Sequence, residues 1–219
     1  AIDQSLSECD TDSNDPKTEA FLKNARKLLR DNEIPTLRIA DRNTWGLRGP
    51  CEPGRPFHSL VKAVGVSTQA SATSGGSFGI GKFAAFAISQ LRTVFYSTVY
   101  LDEDDTPRFL AQGKSILNSH TAEDGTPRRQ TGYWGHPGYE PVGDAARVPH
   151  WMRRDEVGTS VYCLGFRDSD DWQYRLACSL IRNFFVAIHR GDIEFTINDS
   201  EIKITSSTLH TLFEDRNIL

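Results

Sequence analysis

Residues 75–91 read GGSFGIGKFAAFAISQL, a glycine cluster that opens into an Ala/Phe/Ile helix. Four glycines, Gly75, Gly76, Gly79 and Gly81, fall within seven residues. A glycine has no Cβ, so its backbone N–H can come close to an anionic ligand. A helix that starts at such a cluster adds partial positive charge from its unpaired N–H groups. The segment before it, 67–76, is STQASATSGG and holds no core-forming residue. It reads as a flexible loop. A tight turn with close helix packing is the plainer alternative. A mobile polar loop leading into four glycines favours a phosphate-covering lid.

Working outward, the flanking segments are regular. Ala1–Glu8 reads as the end of a helix. Asp10, Asp12 and Asn14 sit at positions one, three and five of a calcium-loop pattern, but Asp15 replaces its glycine and Phe21 its final glutamate. Asp15-Pro16 instead starts a helix to about Asn32, with Phe21, Ala25, Leu28 and Leu29 on one face. Thr36–Asp41 reads as a short strand ending in a carboxylate. Residues 42–58 hold six Gly or Pro and form no regular element. Ser59–Val66 has helical character. Arg92–Leu101 and Arg108–Leu117 form a hairpin about the acidic turn 102–107, which reads as solvated. Residues 118–150 are loop-like. Ser160–Phe166 is a strand, Asp171–Arg190 a helix stopped by Gly191, and Asp192–Asn198 with Glu201–Thr205 a final hairpin.

Composition bounds the classes. The 219 residues are 38% hydrophobic and 25% charged, with a net charge of −4. A chain of that length and balance builds a globular core rather than a disordered tail. No run of about 20 apolar residues reads as a membrane span, and the mild negative balance does not indicate a nucleic-acid surface. The four cysteines, Cys9, Cys51, Cys163 and Cys178, form no CxxC pair and read as reduced thiols of a cytoplasmic protein, not as a disulfide framework or zinc site. The six histidines lack ligand spacing and read as surface or capping residues. Arg153-Arg154, before Asp155-Glu156, reads as a solvated charge cluster.

Two phosphate motifs compete for the glycine cluster. Gly76–Lys82 satisfies the G-x-x-x-x-G-K part of a P-loop, but Phe83 stands where a hydroxyl should bind magnesium, and 67–75 is not a strand. The second pattern, G-x-x-G-x-G, is filled by Gly76, Gly79 and Gly81. It resembles the ATP lid of the GHKL superfamily, the group of DNA gyrase B, heat-shock chaperones, MutL-type repair proteins and histidine kinases. Three further segments follow in the superfamily's order. LRIADRNTWG, residues 37–46, resembles its strand-end box, with the Asp-to-Gly spacing one residue longer than usual and Asn43 where a glycine is common. Gly158-Thr159 resembles its late Gly-Thr box. The opening helix resembles E-x-x-x-N-[SA]-x-D-A, with Gln4 at the Asn position. Segments such as RTVFYSTVYL and GTSVYCLGF look like a gyrase-like branch found in large prokaryotic proteins, some serving in anti-phage defence.

That resemblance implies a single ATP-binding domain over 1–219, the N-terminal fragment of a larger protein. Its fold would be a Bergerat-type two-layer α/β sandwich with a mixed, largely antiparallel sheet. Asp41 would accept the adenine amino group, Thr159 would support it, and Asn43 and Gly46 would form the adjoining turn. Gly76, Ser77, Phe78, Gly79, Ile80 and Gly81 would cover the phosphates. Lys82 is either a phosphate contact or a solvent-facing first-turn lysine. Gln4 would hold Mg2+ through its carbonyl oxygen, and the general base would fall one position before Ala1. Mg-ATP would close the lid and favour a homodimer that drives downstream effector domains. Hydrolysis would also need a Lys or Arg from a following domain. The alternatives are a nucleotide sensor without hydrolysis, a histidine kinase, which would need an absent phospho-acceptor helix, and an interaction module.

Overall fold

The computed structural model describes residues 2–9, 15–63, 81–215 and 218. The candidate calcium pattern at 10–14, the loop at 67–76 and the lid residues Gly76, Ser77, Phe78, Gly79 and Ile80 lie outside the described residues. The chain divides into two compact units, Ala1–Arg167 and Asp168–Leu219. The division falls in RDSDD, residues 167–171, a polar stretch without the Gly or Pro that would mark a linker in the sequence.

The first unit opens with α1 (Ile2–Glu8) and α2 (Pro16–Arg30). Helix α2 starts where the Asp15 carboxylate accepts the N–H groups of Lys17 at 3.3 Å and Thr18 at 3.2 Å, with Pro16 in the first turn. Its buried Leu22 and Ala25 pack with Leu6, Cys9, Leu91 and Leu117. Then come β1 (Thr36–Ala40), α3 (Pro56–Val61), and α4 (Ala84–Ala87) behind a 3-10 turn at Gly81–Phe83. The strands β2 (Thr93–Leu101), β3 (Pro107–Ile116), β4 (His120–Thr121), β5 (Pro127–Arg128), β6 (Thr131–Trp134) and β7 (Gly158–Leu164) complete it.

Five of these strands form one sheet in the order β1-β7-β2-β3-β6, antiparallel at every pairing. The class is therefore α/β with an antiparallel sheet. Strand β2 is buried along nearly its whole length because both faces are covered. Val94 and Tyr96, with Val161 of β7, pack against Phe57 and Val61 of α3 and Phe86 of α4. On the other face, Phe95 and Tyr162 pack against Val142, Val148 and Met152.

Helix α3 starts at Pro56, inside the stretch 42–58 read as irregular and ahead of the helix expected from Ser59, because proline suits a first helical turn. Two further elements differ from expectation for local reasons. The helix expected through Leu91 stops at Ala87. Ser89 is drawn into the sheet instead: its hydroxyl donates to the Leu164 carbonyl at 2.5 Å and accepts the Thr93 N–H at 3.0 Å. Residues 118–150 are not all loop. Thr131–Trp134 adds an edge strand through backbone bonding to β3, a role that asks little of side-chain composition.

The second unit consists of α5 (Trp172–Arg190), the antiparallel pair β8 (Phe195–Ile197) and β9 (Ile202–Ile204), and α6 (Leu209–Glu214). Gly191, at φ +77°, closes α5 by donating to the Ala187 and Ile188 carbonyls. Ala177, Ile181, Ile188, Ile197, Ile202, Ile204 and Leu209 form its core. Among the described residues, no helix is long and apolar enough to cross a membrane.

Candidate functional site

The register of β7 builds the site. Ala40 of β1 pairs with Ser160, which sets Asp41 across from Thr159. Thr159 in turn pairs with Thr98 of β2. The two strands bring Asp41, Thr159 and Thr98 into one row, although Asp41 and Thr159 stand 118 residues apart. Directly paired residues share a sheet face. Two residues along β2 and β7 from this row, Tyr96 and Val161 pack beneath α3 and α4. So the hydroxyl row and the helix that begins at Lys82 belong to the same face.

Asp41 is held by its backbone and one carboxylate oxygen. Its N–H donates to the Thr159 carbonyl at 3.0 Å, and its Oδ1 accepts the Thr159 N–H. Its Oδ2 makes no hydrogen bond among the described residues, and the side chain is 47% exposed. Thr98, fully buried, donates to the Gly158 carbonyl at 3.0 Å and accepts the Leu47 N–H at 2.8 Å. The Thr159 hydroxyl lies 3.3 Å from the same oxygen. Gly46 completes the corner at φ +65°, where a Cβ would strike the Val99 carbonyl and sit 3.2 Å from Thr98 Oγ1. Gly158 is equally confined, since a Cβ there would come within 2.6 Å of Asp41 Oδ1. Asn43 is exposed and turns the chain at φ +55°, a region that asparagine tolerates. Asp41, Gly46 and Thr159 therefore come together, with Asn43 in the connecting turn.

Arg154 corrects the reading of 153–156 as a solvated cluster. Arg153 is exposed, but Arg154 is buried at 8%. Its Nη1 donates to Ser160 Oγ at 2.8 Å and to the Thr159 carbonyl at 3.2 Å. Its Nη2 donates to the Asp41 carbonyl and stands 3.8 Å from Asp41 Oδ1, while Nε donates to the Glu156 carbonyl at 2.9 Å. Burial pulls its pKa below the ordinary value, and the Asp41 charge opposes that shift. Arg154 and Thr98 are the two residues of this site that the sequence did not flag. The Asp-Glu pair after Arg154 disguised it as part of a surface charge run. Trp45, 74% exposed with the Arg48 guanidinium 5.0 Å from its ring, is a further side chain beside the Asp41 turn.

Gly81 is exposed and leads into the turn before α4. Lys82 is partly buried and turns toward α3. Its ammonium donates to the Ser59 carbonyl at 2.9 Å and to the Ala63 carbonyl, at the end of α3. Lys114, 4% exposed, joins it by donating to the Val61 carbonyl at 2.8 Å. Two ammonium groups thus cap one helix C-terminus, the end where carbonyl oxygens favour cations. Burial pulls both pKa values down, and for Lys114 the Lys82 charge adds to the effect.

Gln4 is exposed on α1, where its Nε2 donates to Glu8 Oε1 at 3.1 Å. Among the described residues, no three His, Cys, Asp or Glu side chains gather to hold a metal. A magnesium ion there would draw its other ligands from water and phosphate. A cavity of about 450 Å³ lies elsewhere in the first unit, lined by residues of α2, α4 and the 89–92 turn together with Arg167. None of the Asp41 group lines it. Comparisons with protein-family models, with curated proteins and with solved structures return no match.

Proposed function

We propose that the chain is an ATP-binding domain of the GHKL type, with a Bergerat-like arrangement in which adenine sits at the Asp41–Thr159–Thr98 corner. The observation that carries this reading is the half-exposed Asp41 carboxylate. One of its oxygens is fixed by the Thr159 N–H, and the other has no partner among the described residues. An ionised carboxylate only accepts hydrogen bonds, so the vacant oxygen suits the exocyclic amino group of adenine. The phosphates would lie toward the glycine run, which leads through the Gly81–Phe83 turn into α4 on the same face, and Lys82 would reach them by exchanging the α3 carbonyls for phosphate oxygens.

In this reading Arg154 and Thr98 do not touch the nucleotide. They hold the strand ends so that Asp41 and Thr159 keep their spacing. Gln4 would offer a carbonyl oxygen to Mg2+, whose charge would offset the developing charge on the phosphates. Mg-ATP would order the lid and favour a homodimer within a larger machine that hydrolyses ATP in prokaryotic anti-phage defence. A second reading is a nucleotide gate without turnover. The Gln4–Glu8 bond favours it, because it ties the candidate magnesium side chain along its own helix.

Calorimetry with AMP-PNP and Mg2+ on the wild-type chain, Asp41→Asn and Thr159→Val tests the proposal. One equivalent should bind the wild-type chain. Asp41→Asn should weaken binding at least about 100-fold, because an amide presents a donor to a donor, and Thr159→Val should weaken it less. A folded wild-type chain that binds no nucleotide contradicts the proposal.

A further inference from the structure

We propose that Cys9, His120 and the Asn118 carbonyl form a binding site for a thiophilic divalent metal of the zinc class. Cys9 follows the last residue of α1, and Asn118 and His120 lie just past β3, so about 110 residues of chain separate the two halves. Cys9 Sγ is 3.2 Å from His120 Nδ1 and 3.5 Å from the Asn118 oxygen. Nδ1 is 3.0 Å from that oxygen. Three donor atoms therefore form a triangle with edges of 3.0–3.5 Å. A tetrahedral zinc with ordinary bond lengths spaces sulfur, nitrogen and oxygen ligands about 3.4–3.6 Å apart. Slight opening of this triangle admits the ion.

The far side of the imidazole supplies the second observation. Among the described residues His120 Nε2 is buried without a hydrogen bond, and Glu8 Oε2 stands 3.5 Å away. The His120 and Glu8 side chains are each more than nine-tenths buried. A neutral imidazole can donate to only one of these two oxygens, the Asn118 carbonyl or the Glu8 carboxylate. A proton on Nδ1 serves Asn118 but turns the bare Nε2 toward the carboxylate. A proton on Nε2 serves Glu8 but sets the Nδ1 lone pair against the carbonyl oxygen. A cation between Nδ1, Sγ and the carbonyl resolves this, with Glu8 orienting the ring from behind as carboxylates do for metal-bound histidines. Sulfur and imidazole together select zinc-class ions over calcium or magnesium. Glu8 faces the opposite ring nitrogen and is no ligand, so the site has two side-chain ligands, one carbonyl and an open fourth position. Cys9, 6% exposed, gives a substrate no approach, which disfavours a nucleophilic role for the same group. The bound ion would tie the end of α1 to the β3–β4 turn, and this inference stands apart from the nucleotide reading.

The test is Co2+ titration of the tag-free chain, followed by X-ray absorption of the Zn2+ form. The wild-type chain should take one equivalent in the micromolar range or tighter and develop a thiolate-to-cobalt charge-transfer band. Cys9→Ser should lose the band, Cys178→Ser should keep it, and Glu8→Gln should weaken affinity about 10–100-fold. The zinc spectrum should contain one sulfur scatterer, and it decides the matter even where Cys9→Ser does not fold. A wild-type chain without the band, a band that survives in Cys9→Ser, or a zinc shell without sulfur overturns the proposal. Hydrogen bonding among Cys9, His120 and the Asn118 carbonyl would then account for the cluster.

Discussion

Thr98 and Gly46 have the least room to change among the residues of the Asp41 corner. Thr98→Val removes the acceptor of the Leu47 N–H and the donor to the Gly158 carbonyl, both in a buried setting. Leaving such groups unpaired costs about 1–3 kcal/mol, which urea denaturation should resolve. Gly46→Ala meets both a left-handed φ and the Val99 carbonyl, whereas Gly54→Ala, at φ +87°, meets no atom within 4 Å. Gly54→Ala should cost roughly 1–2 kcal/mol from backbone strain alone. Gly46→Ala should cost more and should disturb the site. Equal effects would show that the contact with β2 is unimportant. Arg154→Met should destabilise the first unit by about 2–4 kcal/mol, since it removes the donors to the Asp41 and Glu156 carbonyls and to Ser160 Oγ and leaves the Thr159 carbonyl with the Asp41 N–H alone. All four cysteines are free of disulfides, and burial pushes the Cys163 thiol up to about 11.

At the scale of elements, helix α2 makes a prediction with a definite sign. Hydrogen bonds from the Thr18 hydroxyl and the Lys17 N–H hold the Asp15 carboxyl below its ordinary 3.8. The folded state thus binds fewer protons there than the unfolded chain, so the cap stabilises fully above the ordinary value. That contribution fades as pH falls through the depressed one. Asp15→Ala should lower Tm at neutral pH, and the gap from wild type should close in melts taken down to about pH 2. A constant gap would contradict the linkage. The same local signals made α2, β1, the β2–β3 hairpin and α5 legible in the sequence, because caps, turns and apolar spacing act within a few residues. Pairings were less legible. Nothing near Asp41 indicates that Thr159 will lie beside it, and nothing near Cys9 points to His120, which read as a surface residue. Strand β6 was hidden because an edge strand held by backbone bonds needs no apolar alternation. The short α4 was hidden because Ser89 obeys the sheet rather than its own helix.

For the whole molecule, the proposed function gives the nucleotide two consequences, assembly and selectivity. Sedimentation velocity should show the chain shifting toward dimer with AMP-PNP and Mg2+ but not with ADP, and an unchanged coefficient would remove the assembly step. The adenine site itself is tested most directly by calorimetric titration of ATP and of GTP into the wild-type chain. Adenine presents an amino donor where guanine presents a carbonyl acceptor, and the Asp41 carboxylate can only accept. The account predicts that ATP binds, that GTP binds at least about 100-fold more weakly, and that Asp41→Asn erases most of this preference. Equal binding of both nucleotides, or a preference that persists in Asp41→Asn, would contradict it.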